Sequence, residues 1–272
     1  MDDSSPDSLV RDAPAGAPSP APAEPAWGKA AVDPAERRFL EGPGSRRAEL
    51  RRALRIGAEF VRGFRALHFV GPCVTVFGSA RVEESSPYYA LAREMGARLA
   101  KSGFTVMTGG GPGIMEAANR GAHEAGGTSL GVNIELPHEQ QPNAYLDRWI
   151  TFEHFFVRKV MLVKYSVAFI VLPGGFGTMD EIFETATLIQ TGKIHDFPLV
   201  VMGQQFWRPL GDFLRERMLA EGMIDEGDLA RVVLTDSPDE AMASITDSAA
   251  RLLQRTWLGR TRRHGVLLGE RR

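Results

Sequence analysis

Glycine-dense turns and two charged side chains carry the chemistry legible in this sequence. Thr108-Gly109-Gly110-Gly111-Pro112-Gly113 and Pro173-Gly174-Gly175-Phe176-Gly177-Thr178 each lead into a stretch of helical spacing, and a shorter turn, Gly78-Ser79-Ala80-Arg81, precedes them. Free backbone N–H groups at a helix N-terminus, with the helix dipole behind them, favour an anion. Glycine lets the chain come close to a ligand's oxygens, and Thr178 adds a hydroxyl donor. Glu181 stands in the first turns of the helix that Gly177-Thr178 opens, with Asp180 and Glu184 as further carboxylates. It suits two roles: a carboxylate favoured by the dipole, or a group that moves a proton or stabilises charge on a ligand. Arg158, beside Lys159, sits in the apolar run HFFVRKVMLV. Its guanidinium either snorkels to solvent or reaches the edge where phosphate and carboxylate meet.

The elements that must position these residues alternate in type. Short, β-branched, apolar runs predict strands at Cys73–Ser79, Phe104–Thr108, Thr128–Ile134, Trp149–Phe152, Val167–Leu172, Pro198–Met202 and Val232–Leu234. Between them, helical spacing and caps predict helices from Ser86-Pro87 to Ser102, over Ile114–Ala125, about His154–Tyr165, about Thr178–Thr191, Phe206–Ala220 and about Pro238–Arg255. Repeated strand–helix units predict an α/β fold, a Rossmann-like open parallel sheet with helices on both faces in three αβα layers. Ligands of such sheets bind beyond the carboxyl ends of the strands, and all three glycine turns follow strands, so they share that edge.

Residues 46–255 are expected to form this single domain, with 46–68 an amphipathic helix at its start. Residues 1–45 hold eight of the 17 prolines and few large apolar side chains, the composition of a disordered tail. Residues 256–272 form a basic C-terminal tail; from Arg251 to the end there are seven arginines against one glutamate.

The 272 residues carry a formal net charge of −2, which argues against a general nucleic-acid binder. No apolar run reaches the ~18–20 residues of a membrane span, the start lacks a signal-peptide pattern, and Cys73 is the single cysteine. A cytoplasmic protein with no disulfide and no Cys-based zinc site follows. No G-x-x-x-x-G-K-[ST] is present, the first strand ends in GSARVE, and Glu116 falls where a third spaced glycine would belong. The sequence therefore excludes a P-loop and a dinucleotide fingerprint and points to a mononucleotide. His123, His138, His154 and His195 are scattered, so no metal site is expected.

PGGFGTMDE (173–181) has the P-G-G-x-G-T-x-x-E pattern of the Lonely guy family, with Arg158-Lys159 as the R-K pair that precedes it and GGGPGIMEAAN as its other glycine segment. The chain resembles the longer bacterial members over roughly residues 70–240. The resemblance implies a nucleoside 5′-monophosphate phosphoribohydrolase, splitting AMP or a cytokinin riboside monophosphate into free base and ribose 5-phosphate. It implies Arg158 and Glu181 as the catalytic pair, Gly174, Gly175, Gly177 and Thr178 as the phosphate loop, and Lys159 and Thr187 as substrate contacts. Ser79, Gly110, Gly111 and Gly113 join these as phosphate-binding candidates, with Glu139 or Gln140 near a substrate-contacting position. It also implies a homodimer or larger homo-oligomer and a small-molecule substrate, with no cofactor, nucleic acid or membrane. The alternative on the same fold is a non-catalytic carrier of a phosphorylated cofactor such as molybdopterin. Relatives are often labelled lysine decarboxylases, but none of Lys101, Lys159, Lys164 and Lys193 has the setting of a pyridoxal-phosphate lysine.

Overall fold

The computed structural model describes residues 42–134 and 142–256. The expected tail at 1–45 lies almost wholly outside the described residues, as do His138, Glu139, Gln140 and all but the first residue of the segment 256–272. The described chain runs α1 (Arg46–Leu67), β1 (Cys73–Phe77), α2 (Pro87–Lys101), β2 (Thr105–Thr108), α3 (Ile114–Glu124), β3 (Ser129–Ile134), β4 (Arg148–Phe152) and α4 (Phe155–Tyr165). It continues through β5 (Ser166–Val171), α5 (Phe176–Gln190), β6 (Leu199–Val201), α6 (Gln204–Phe213), α7 (Glu226–Ala230), β7 (Val232–Leu234) and α8 (Pro238–Thr256).

The seven strands form one parallel sheet in the order β4-β3-β2-β1-β5-β6-β7. Strand order reverses between β1 and β5, the switch point where α/β sheets open a crevice. The paired register brings Phe77 of β1 level with Val171 of β5, so the turns after both strands leave the sheet side by side. Every residue of β1, β2 and β5 is buried, which is why their sequences hold only apolar residues and small hydroxyl residues and no charge.

Alternating side chains feed two cores. Val74, Val76 and Ile170 meet Met95, Leu99, Ile114 and Ile245 beneath α2, α3 and α8. Cys73, Phe77, Met107 and Phe169 meet Leu67, Met161, Ile182 and Trp207 beneath α1, α4, α5 and α6. Local signals act as expected at α2, where Ser86 accepts from the Tyr88 amide and Pro87 follows.

Three details differ from the sequence expectation. The helix after the third glycine turn starts at Phe176, so Gly177 and Thr178 lie inside its first turn. The helix expected over Phe206–Ala220 starts at Gln204 and continues beyond Phe213 as six π-helical residues, Leu214–Leu219, a change that apolar spacing does not encode. Glu226–Ala230 is helical although too short for a period, and its one legible signal is the Asp225/Asp228 capping box. No described helix is long and apolar enough to cross a membrane.

Candidate active site

The three glycine turns are laced together at Ser79. Its amide donates to the Pro173 carbonyl (2.9 Å), and its carbonyl accepts from the Ile114 amide at the start of α3 (3.1 Å). Its hydroxyl accepts from the Arg81 amide at 3.1 Å. Gly113, the N-cap of α3, has φ of 67° and passes so near the first turn that a Cβ would stand 2.5 Å from the Ser79 carbonyl oxygen. Only glycine meets both conditions.

A buried polar network pins the second turn. Thr108 Oγ1 accepts from the Gly110 amide (2.9 Å) and donates to Asn119 Oδ1 (2.6 Å). The Asn143 side chain donates to Asn119 Oδ1 (3.0 Å) and to the Gly111 carbonyl (3.1 Å), while its amide donates to the Gly110 carbonyl (2.9 Å). The amides of this turn are thereby held in place before any ligand arrives.

The third turn is an open platform. Gly174 packs over the buried Thr178 so closely that a Cβ would overlap Thr178 Oγ1. Gly175 caps α5, and neither Gly175 nor Gly177 has any atom within 4 Å of where a Cβ would stand. The chain thus presents the α5 N-terminus to open space, with room for an anion against it.

Glu181 follows this platform on α5, and Arg158 borders the second turn at Gly109. Glu181, on the inward face of α5, is 5% exposed, and its Oε2 is buried with no hydrogen-bond partner. Burial raises its pKa to about 7; Arg158 and Lys159 oppose the rise, while Glu184 and Asp180 add to it. Arg158 is half-buried on α4, where its Nε donates to the Val132 carbonyl at 2.8 Å. Its Nη2 lies 2.6 Å from where a Cβ on Gly109 would be, so the first glycine of the second turn clears the space that the guanidinium fills. Desolvation lowers the Arg158 pKa, and Glu181 counters it.

Lys159 serves the scaffold. Its ammonium pairs with Asp180 Oδ2 at 2.9 Å and with Glu184, tying α4 to α5. Desolvation acts to lower its pKa, but Glu184 and Asp180 outweigh that and raise it. Two carboxylates that the sequence offered as alternatives to Glu181 are therefore engaged elsewhere. Thr187 does not join the site: its hydroxyl donates to the Phe183 carbonyl (2.7 Å), and it lines a separate apolar cavity of about 240 Å³ with Ile182, Trp207 and Leu210. Ser79, Gly110, Gly111, Gly113, Gly174, Gly175, Gly177, Thr178, Arg158 and Glu181 all lie along the one edge. Sequence reasoning missed the roles of Gly109 and of the Val132 carbonyl. Position 109 was legible as part of a glycine run, whereas a backbone carbonyl leaves no trace in residue type.

The Glu181 shift fixes the sign of a stability effect. A carboxyl whose folded pKa is raised contributes stability that is full below about 4.5 and is lost as pH rises through about 7. Glu181→Gln, neutral throughout, should therefore melt above the wild type at alkaline pH, by an amount worth ~1–3 kcal/mol, and match it in acid. A calorimetric gap that stays constant with pH would contradict the buried carboxyl and its unpartnered oxygen.

Comparison with known proteins agrees with this architecture. A family model described as "Possible lysine decarboxylase" matches residues 115–245. The cytokinin riboside 5′-monophosphate phosphoribohydrolase of Rhodococcoides fascians is 32% identical over 178 residues, covering 63% of this chain and 88% of that protein. The enzyme of the same name from Mycobacterium tuberculosis is 33% identical over 175 residues, covering 60% and 90%. Among solved structures, the X-ray structure of the structural-genomics target TM1055 superposes with a TM-score of 0.51 at 26% identity, over 65% of this chain and 99% of that one.

Proposed function

The chain belongs to the Lonely guy family, and from that premise we propose that it hydrolyses the N-glycosidic bond of a purine nucleoside 5′-monophosphate, AMP or a cytokinin riboside 5′-monophosphate, releasing free base and ribose 5-phosphate. The observation that carries this reading is Glu181: a buried carboxyl with an unpartnered oxygen, within electrostatic reach of an anchored arginine, on the helix that an open glycine platform starts. The phosphate sits on the amides at the α5 N-terminus, and that anchorage presents C1′ of the ribose to Glu181. As the C1′–N bond breaks, positive charge develops on the sugar. An ionised Glu181 stabilises it and takes a proton from the water that attacks C1′; the base leaves with the electron pair of the C1′–N bond and takes up one proton from solvent, and Glu181 returns its proton to solvent, so that water is added across the bond. Arg158 supplies hydrogen bonds to the phosphate or the departing base.

A phosphate carrier would need the platform alone, whereas Arg158 and Glu181 are groups that bond cleavage uses. The lysine decarboxylase description implies pyridoxal phosphate, and the residues do not fit it. Lys159 is clamped as a cation by Asp180 and Glu184, and Lys101, Lys164 and Lys193 are exposed.

The test is product analysis of the purified protein with AMP, a cytokinin riboside 5′-monophosphate and adenosine. Base and ribose 5-phosphate should appear in equal amounts from the monophosphates, and adenosine, lacking the anchor, should be spared. Tight binding of a nucleotide with no base released would favour the carrier.

Substitutions in the platform separate ligand contact from folding. Gly177→Ala meets no other segment of the chain, so it should leave the melting temperature unchanged or slightly raised while raising KM ~10-fold or more, its methyl occupying space open to the phosphate. Gly174→Ala overlaps Thr178 and should destabilise the fold by ~1–3 kcal/mol. Thermal melts and steady-state kinetics check both, and an unchanged KM in Gly177→Ala would move the phosphate elsewhere.

The assembly is a homodimer in which α4 and α5 of two copies meet. Val160, Phe176 and Phe183 are 41%, 96% and 42% exposed along these helices, an apolar stretch suited to burial against a second copy. Light scattering should give twice the 29.8 kDa chain mass, and a monomer at micromolar concentration would contradict it. A cytoplasmic location suits the lone Cys73, fully buried, with its thiol pushed up to about 12 by desolvation.

A further inference from the structure

We propose that Glu59, on the N-terminal helix, is a positioning residue for Arg158; this rests on the reading of Arg158 as part of the catalytic site. Glu59 is 5% exposed although it belongs to α1, a helix whose outer face is rich in arginine. Its carboxylate reads the entry to α4. One oxygen accepts from the Glu153 amide (2.5 Å) and the His154 amide (3.3 Å), and the other pairs with His154 Nδ1 at 2.7 Å. His154, itself 4% exposed, is the N-cap of α4.

Burying a carboxylate costs free energy that apolar packing would not, and the return here is geometric. α1 already seats on the β4–α4 junction by other means. Gly63 lies where a Cβ would stand 2.9 Å from Met161 and 3.0 Å from Phe152, and Arg62, which also stands 4.0 Å from Glu59 Oε1, donates to the Thr151 carbonyl at 2.8 Å. These contacts hold α1 against the body of α4 and the strand before it, and none of them touches the α4 N-terminus itself. Glu59 reaches that N-terminus through two directional amide bonds and a ring nitrogen.

Arg158 is one turn beyond His154, and its amide donates to the His154 carbonyl at 3.2 Å. Its side chain has little slack, with Nε committed to Val132 and Nη2 fitted over Gly109. A shift of the α4 entry is passed directly to the guanidinium. The segment that carries Glu59 precedes the stretch resembling the family motifs.

The experiment compares wild type with Glu59→Gln, which keeps the shape but replaces one acceptor oxygen with an NH₂ group; Glu59→Asp, charged but too short, is the second variant should the first not fold. Two readouts are taken on folded protein, confirmed by circular dichroism: kcat and KM for base release, and solvent exchange of the Arg158 Nε–H by NMR. We expect kcat to fall ~10- to 100-fold with KM changed by less than about three-fold, as for a misplaced catalytic group, and the Nε–H to exchange faster. Retained Nε–H protection, or an undiminished kcat in a variant whose parent turns over, overturns the proposal. A wild type that releases no base overturns the proposed function instead, and the exchange readout still decides whether Glu59 holds Arg158.

Discussion

Glu181→Gln should slow base release ~10²–10⁴-fold and leave nucleotide binding intact. The substitution keeps the size and hydrogen-bonding reach of the side chain, so the platform at Gly174–Thr178 and its capacity for phosphate are unaltered. What disappears is the negative charge opposite the cationic sugar and the capacity to take a proton from water, effects worth ~10²–10⁴-fold in kcat. The wild-type pH profile provides a second handle. Because burial raises this carboxyl to about 7, kcat/KM should climb as pH rises through about 7, the ionised form being the active one. Activity and stability therefore run in opposite directions across the same titration. Steady-state kinetics and nucleotide calorimetry on both proteins check this. Undiminished turnover in the variant, or an acid limb near 4.5, the ordinary value for a glutamate, would remove Glu181 from the centre of the mechanism.

Arg158→Ala should impair binding and turnover together, lowering kcat/KM ~10²–10³-fold, the loss of a charge-assisted contact and of transition-state hydrogen bonding combined. The structure supplies an unusual companion to this variant. Gly109→Ala places a methyl 2.6 Å from Arg158 Nη2 and 2.8 Å from Met115 Sδ, so it should evict the guanidinium without touching Arg158 itself. Its kinetic defect should resemble that of Arg158→Ala, and the double variant should be little worse than either alone, since both remove one interaction. Additive losses would show that Gly109 and Arg158 act separately, and normal kinetics in Arg158→Ala would exclude it from the site.

Much of the fold was legible because burial on both faces writes continuous apolar runs into parallel strands, and glycine marks where each one ends. The candidate pair was legible for a different reason: Arg158 interrupts an apolar helix and Glu181 follows a glycine platform, so each is a charge in an unexpected place. What stayed hidden depends on pairing across the fold. Asp180 and Glu184 looked like alternatives to Glu181 until Lys159 proved to hold them. Thr187 lies further along the helix that carries Glu181, yet it lines a different cavity. Glu59 falls within the amphipathic helix expected over 46–68 with nothing in its spacing to single it out, and its partners at 153 and 154 lie more than 90 positions away. The passage from α6 into a π-helical segment leaves the apolar spacing almost unchanged, so no period could separate them.

The central claim is geometric: a monophosphate on the glycine platform brings C1′ of its ribose to residue 181. The most direct measurement is a crystal structure of Glu181→Gln with AMP bound, a variant that should hold its substrate uncleaved. The account predicts the phosphate against the amides of Gly175–Thr178, the residue 181 side chain beneath C1′ and the Arg158 guanidinium in contact with the nucleotide. A phosphate lodged away from that platform, or a ribose turned so that C1′ faces away from residue 181, would contradict it.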